Sequence, residues 1–183
     1  MTNTQAAANP LRASRNPAGI EPSRIPLPPN ARPEIFIQDI NSMPEDRWVQ
    51  QANNVAFLPL CFGVTQGYYV NLLRVRQSGV LSCHRHFGAV HAHVMKGSWF
   101  YLEHDWIATE GSFVMEAPGE THTLVVPPDV PEMITWFHVA AGYTYMDGDR
   151  VVGYEDVFTK LASAREHYKQ KGLDQTELDR LIR

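Results

Sequence analysis

Short apolar runs, each closed by glycine or proline, fill the middle of this chain and restrict the folds open to it. Turn pairs such as Ser78-Gly79, Lys96-Gly97 and Pro118-Gly119 separate the runs. Many short strands at this spacing are typical of a sandwich or barrel, and they argue against alternating strands and helices. The sequence therefore predicts an all-β domain. The predicted strands lie near residues 35–37, 55–58, 68–75, 80–86, 90–96, 98–104, 112–116, 122–126, 133–139 and 143–146.

The two ends of the chain differ from this middle part. Residues 1–33 hold 7 of the 13 prolines and show no apolar periodicity, which predicts a flexible, extended Pro-rich arm. Residues 156–171 place apolar side chains at helical spacing before Gly172, and a capping box at 174–177 predicts a second short helix up to residue 183. We expect the charges of these helices to face solvent. The predicted organisation is an arm over 1–33, a single β-barrel over 34–153 and C-terminal helices over 154–183 that pack on the barrel.

Composition excludes several classes of function. A length of 183 residues suits one domain, and no apolar run is long enough to cross a bilayer. The formal net charge of −4 argues against nucleic acid or an anionic membrane as the main partner. Cys61 and Cys83 make no disulfide framework and fit a reduced compartment. We therefore expect a cytoplasmic protein that binds small molecules.

The histidines carry the strongest chemical signal. Seven of the eight lie between residues 84 and 138. His84 and His86 stand at i and i+2, so their side chains project from the same face of a strand. His122 follows a Pro-Gly turn and can close a triad of ligands around one metal ion. Imidazole suits iron, copper, nickel and zinc, so this pattern predicts a divalent metal without choosing among them.

A second histidine pair, His91 and His93, has the same spacing on the next strand. Whether this pair competes with the first as metal ligands depends on which face of the strand is directed into the barrel. We expect Val90, Ala92 and Val94 to point into the barrel, which leaves both histidines beside it or facing outward.

Other side chains are candidates for catalysis and for substrate contact. Glu103 and His104 are each a candidate fourth ligand or general base. Because they are sequence neighbours on a strand, their side chains point to opposite faces, so only one can lie beside the metal. Aromatic side chains of the strands are candidate walls for an aryl substrate. The predicted pocket residues are Trp99, Tyr101, Trp136 and His138.

The residues around the histidines resemble the two motifs of the cupin superfamily. His84-x-His86, the Lys96-Gly97 turn and Ala117-Pro-Gly-Glu-Thr-His122 carry the resemblance. Cupins are small jelly-roll barrels that hold a metal in their mouth. Their first motif usually has Glu four residues after its second His, and here that position is Val90. The resemblance therefore implies a neutral three-histidine centre, as in the ferrous dioxygenases of the superfamily.

The chain is more closely similar to the 2,4'-dihydroxyacetophenone dioxygenase family, over about residues 59–172. Tyr-Leu-Glu-His-Asp-Trp-x-Ala-Thr-Glu-Gly at 101–111 and Ala-Pro-Gly-Glu-Thr-His-Thr-Leu-Val-Val at 117–126 carry this likeness. It implies Fe(II) on His84, His86 and His122, with Glu103 or His104 as the base. It further implies that a small aromatic α-hydroxyketone reacts with O2 to give 4-hydroxybenzoate and formate. A homodimer or homotetramer is the implied assembly.

Two alternatives stay open on the sequence. One is another three-histidine cupin dioxygenase that acts on a diketone or related substrate. The other is a non-enzymatic metal-binding cupin, resembling the zinc-holding sensor domain of some anti-sigma factors. That sensor keeps the Glu that this chain lacks at Val90, and a sigma-binding helical domain precedes its barrel. We expect neither feature here, which favours the enzyme.

Overall fold

The computed structural model describes residues 19–21 and 25–183. Residues 34–183 form one compact unit. It contains two antiparallel sheets and, at its C-terminal end, the helices. The predicted all-β jelly roll with C-terminal helices is confirmed. The arm predicted over residues 1–33 lies for the most part outside the described residues.

Within the described residues, twelve strands build the two sheets. In chain order they are β1 (Val49–Ala52), β2 (Val55–Gly63), β3 (Tyr68–Val75), β4 (Gly79–His86), β5 (Val90–Lys96), β6 (Ser98–Tyr101), β7 (Ala108–Thr109), β8 (Phe113–Glu116), β9 (Thr121–Val126), β10 (Met133–Ala140), β11 (Tyr143–Asp147) and β12 (Arg150–Glu155). One sheet has the order β1-β2-β3-β10-β5-β8 and the other β12-β11-β4-β9-β6-β7. Successive strands thus alternate between sheets along much of the chain, as jelly-roll connections require.

The inner faces of the sheets enclose the hydrophobic core. On β5, Val90, Ala92 and Val94 are fully buried in this core. His91 and His93 alternate with them and keep exposed surface. The predicted inward face of this strand is confirmed, because side chains alternate along a strand. The second histidine pair therefore lies on the outer face of the barrel.

Helix α1 (Val157–Lys171) packs on β1, β2, β3 and β12. Its first turn is held by Asp156, whose carboxylate accepts the backbone N–H groups of Phe158 and Thr159 at 2.9 and 2.8 Å. Gly172, with φ of +67°, ends the helix. No helix in the described ranges is long and apolar enough to cross a membrane.

One charged side chain of α1 does not face solvent. Lys160 lies on the buried face of the helix with Val157, Ala164 and Tyr168. The expectation that the helix charges are all solvated is wrong at this position. The ion pair with Glu155 explains the difference, because a buried ammonium needs a partner.

Other elements also differ from the sequence-based expectation, and strands β1, β7 and β12 have no predicted counterpart. Residues 35–37 form no strand, and Ile37 packs instead against a second apolar cluster around Trp48 and Leu58. The strand expected over 98–104 ends at Tyr101. The second helix, α2 (Thr176–Asp179), is a single turn.

Gly97, in the turn between β5 and β6, is expected to resist replacement. Its φ is +73°, and a Cβ there would lie 2.6 Å from the carbonyl oxygen of Glu132. We expect Gly97→Ala to lower the free energy of unfolding by about 2 kcal/mol or more in urea denaturation. Gly111→Ala is the matched control, because φ is +88° but nothing lies within 4 Å of the added Cβ. Equal losses in the two variants would show that the approach to Glu132 has no effect.

Candidate metal centre

Strands β4 and β9 bring the three predicted metal ligands together. His84 lies directly opposite His122 in the antiparallel register, and His86 follows on the same face of β4. All three are buried, and their ligand atoms lie within 4.8 Å of one another. The Nε2 atoms of His84 and His122 are 3.2 Å apart. Two ligands about 2.1 Å from one ion lie about 3.0–3.4 Å apart, so this spacing suits a shared metal.

Glu116 of β8 places a carboxylate at the same point. It is 2% exposed, and its Oε2 lies 3.1 Å from Nε2 of His86 and 3.4 Å from Nε2 of His122. The hydroxyl of Tyr101 donates to the other carboxylate oxygen at 2.7 Å. Glu116 pairs across the sheet with Val90. The neighbouring strand therefore places a carboxylate beside the three predicted histidine ligands, although position 90 is Val.

Burial and close neighbours set the protonation of the centre. Burial, followed by the nearby His86 and His122, lowers the pKa of His84 to about 3. His84 is therefore neutral near pH 7 and can offer a lone pair to a metal. Burial acts to raise the pKa of Glu116, but the rings of His122 and His86 outweigh it and hold this pKa below its usual range. Glu116 is therefore a carboxylate.

The donor set fits a divalent transition metal. Oε2 of Glu116 is buried and has no partner in hydrogen-bond geometry among the described residues, although two ring nitrogens lie close to it. A cation between these atoms would give the carboxylate its missing positive partner. Three imidazoles and one carboxylate suit zinc, iron and related ions, which bind both types of ligand.

Two neighbouring side chains hold the ligand rings in place. Oγ of Ser82 lies 3.3 Å from Nδ1 of His84. The ring of Tyr101 stacks on His122, with centroids 3.6 Å apart and planes at 9°. Because Tyr101 also donates to Glu116, it positions two of the four groups. Such partners of metal ligands fix ring orientation and influence affinity.

A cavity of about 560 Å³ adjoins the centre inside the barrel. His84, His86 and Tyr101 are part of its wall. Its volume lies within the range of about 300–1,000 Å³ that is usual for small-molecule sites. Aromatic and aliphatic side chains supply most of the remaining wall, among them Tyr69, Leu81, Leu124, Phe137, Tyr143 and Tyr145.

Of the pocket residues predicted from the sequence, Tyr101 lines this cavity. Trp99 is buried in the core, where its Nε1 donates to the hydroxyl of Thr135 at 3.0 Å. Trp136 packs in the second apolar cluster, and the ring of His138 lies 5.0 Å from that of Tyr68. The structure does not place Trp99, Trp136 or His138 among the residues that line the cavity.

The two candidates for the base also lie outside the cavity wall. Glu103 is exposed and accepts hydrogen bonds from the backbone N–H and hydroxyl of Thr123 at 2.7 and 2.9 Å. His104 pairs with Glu120 at 2.6 Å. His104, Glu120 and His122 form a second, more exposed group that could hold a metal. The structure therefore offers two candidate metal sites that share one histidine.

Comparisons with known proteins identify the family of the chain. A cupin of the RmlC type from Ralstonia eutropha is 27% identical, with a TM-score of 0.70 over 77% of this chain and 91% of its own. An acetylacetone dioxygenase from Acinetobacter johnsonii is 11% identical, with a TM-score of 0.62 over 75% and 97%, which shows a shared fold. The comparison with curated proteins gave no match. The family model of the ChrR cupin-like domain matches residues 38–142, so the chain belongs to that family of cupins.

Proposed function

We propose that this chain is a non-haem Fe(II) dioxygenase that cleaves an aryl α-hydroxyketone, with 2,4'-dihydroxyacetophenone as the substrate. One O2 would be consumed as the bond between the carbonyl and hydroxymethyl carbons breaks, giving 4-hydroxybenzoate and formate. The observation that carries the proposal is the continuity of the histidine centre with a cavity of small-molecule size. His84 and His86 belong to both. A metal that serves only the fold needs no open space beside it.

We propose that Nε2 of His84, His86 and His122, with Oε2 of Glu116, hold the iron. Bound Fe(II) would supply Lewis acidity and would pass electrons from the substrate, which is oxidised, to O2. Glu116 would balance one unit of the metal charge. Tyr101 would keep this carboxylate in place through its hydrogen bond.

The tyrosines of the cavity wall are suited to orient the oxygen atoms of a substrate. The ring centroid of Tyr143 lies 5.1 Å from that of His84 and 5.3 Å from that of His86. Burial, followed by the nearby Tyr69, raises the pKa of Tyr143 well above its ordinary value. Its hydroxyl is therefore protonated at neutral pH and can donate a hydrogen bond.

A non-enzymatic metal-binding role is the second candidate, and the match to the ChrR cupin-like domain favours it. The lack of Glu at Val90 no longer argues against such a role, because Glu116 brings a carboxylate to the centre. The cavity of about 560 Å³ supports the enzyme, since a protein that only holds a metal needs no space for a substrate.

Oxygen uptake by protein loaded anaerobically with Fe(II) tests the proposal. With 2,4'-dihydroxyacetophenone we expect one O2 consumed per substrate, equal amounts of 4-hydroxybenzoate and formate, and one atom of 18O2 in each product. Zinc-loaded protein is the control and should consume no O2. O2 uptake with acetylacetone but not with the hydroxyketone would show that the proposed substrate is wrong. No uptake with either, together with tightly retained zinc, would support the non-enzymatic role.

A further inference from the structure

An ion pair between a buried lysine and a partly buried carboxylate forms part of the cavity wall. Lys160 of α1 is 3% exposed and lines the cavity. Its Nζ donates to Oε1 of Gln51 at 2.6 Å and lies 3.1 Å from Oε2 of Glu155. An ammonium has three N–H donors. Two of them have oxygen partners within the described residues, and the third has the ring of Phe57 as its neighbour, a weaker partner that a polar ligand in the cavity could replace.

Aromatic side chains also surround this lysine. The ammonium lies 4.4 Å from the ring centroid of Phe57 and 5.7 Å from that of Tyr69, so its surroundings are largely aromatic. Burial lowers the pKa of Lys160, and Glu155 acts in the opposite direction. Apolar side chains of similar volume often replace buried ion pairs without loss of stability. A buried charge beside a cavity is therefore better explained by a ligand than by the fold.

A series of polar contacts connects this lysine to the histidine centre. Nε2 of Gln51 donates to the hydroxyl of Tyr145 at 3.0 Å. That hydroxyl lies 3.2 Å from the hydroxyl of Tyr143, whose ring borders His84. Lys160 is thus several side chains away from the proposed metal ligands but lines the same cavity. A ligand in this cavity can place one polar group at the histidines and another at the lysine.

We infer that Lys160 and Glu155 bind the phenolic hydroxyl of the substrate ring and thereby select para-hydroxylated aryl ketones. This inference rests on the proposed function. The ammonium would donate to the phenolic oxygen, and Glu155 would accept the phenolic proton. A site built around a hydroxyl rejects the analogue that lacks it, because the polar groups of the site then stay unpaired. A hydrogen bond to a charged group corresponds to a preference of about 10- to 100-fold in affinity.

Binding of two probes that cannot undergo the proposed reaction tests the inference. 4'-Hydroxyacetophenone and acetophenone both lack the α-hydroxyl group and differ only at the para position. Calorimetric titration of the metal-loaded protein without oxygen should show the hydroxylated probe bound about 10- to 100-fold more tightly. In Lys160→Met we expect this ratio to fall, because only Glu155 then remains to bind the phenolic hydroxyl, and acetophenone affinity should stay nearly unchanged.

Two further variants keep the test decisive. Lys160→Met combined with Glu155→Gln removes both charges and should bring the ratio of the two affinities close to one. Lys169→Met, an exposed site on the same helix, should keep it. An unchanged ratio in the folded Lys160 variants, or equal affinity of the native protein for both probes, would overturn the inference. An intact preference without any O2 uptake would support the binding site and refute only the reaction.

Discussion

Replacement of His122 by alanine is expected to abolish metal binding. Its Nε2 lies 3.2 Å from that of His84 and 3.4 Å from Oε2 of Glu116, so one substitution removes the ligand between two others. We expect the metal content to fall from about one ion per chain to less than a tenth, because a remaining pair of histidines and one carboxylate holds a divalent ion far less tightly. Elemental analysis after gel filtration measures this loss, and oxygen uptake should disappear with it.

Two variants separate metal loss from misfolding. His122→Gln keeps most of the volume beside Tyr101 and should lose the metal while its circular dichroism spectrum stays native. His138→Ala removes a histidine outside the cavity wall and should keep one ion per chain. Retention of a full equivalent of metal by both His122 variants would contradict the proposed ligand set.

Glu116→Gln is expected to weaken metal binding by more than about 10- to 100-fold, which is the range for the loss of a group that only supports the ligands. The amide keeps the shape of the carboxylate, and its oxygen can still accept the hydrogen bond from Tyr101. The variant loses the negative charge that lies beside His86 and His122. Competition with a chromogenic chelator measures the change in affinity.

Glu120→Gln is the matched control for this carboxylate. Glu120 is part of the second candidate group, with His104 and His122, and its side chain is 29% exposed. We expect its replacement to change metal affinity less than twofold. If Glu120→Gln lowers metal affinity as much as Glu116→Gln or more, the metal binds at the more exposed group instead.

The three histidines could be predicted from the sequence because their arrangement depends on local geometry. The spacing of His84 and His86 places both on one face of a strand, and the turn before His122 starts the strand that pairs with it. The inward face of β5 was predictable for the same reason. The alternation of side chains along a strand can be predicted without knowing which strands are neighbours in the sheet.

Glu116 could not be predicted because its place depends on a pairing between β5 and β8, which are distant in sequence. The available signal was one acidic residue at the end of a predicted strand, just before the Pro118-Gly119 turn. Lys160 was missed for a related reason. A lysine on an amphipathic helix is normally solvated, and the barrel contacts of Gln51 and Glu155 that bury it come from other elements.

For the aromatic wall of the cavity, the alternation of side chains along a strand does not show which face is directed inward. On β10, Thr135, Phe137 and Val139 are buried, so Trp136 and His138 project from the other face. The sequence favours neither face, because both carry large or aromatic side chains. The cavity instead takes Tyr69 from β3 and Tyr143 from β11, whose inward orientation depends on how the two sheets face each other.

Anomalous diffraction from a crystal loaded with Fe(II) and kept free of oxygen tests the central claim most directly. Data collected at the iron absorption edge should show one peak, bonded to Nε2 of His84, His86 and His122 and to a carboxylate oxygen of Glu116. A peak beside His104 and Glu120, or no peak at the four residues in protein that retains one iron per chain, would contradict the account.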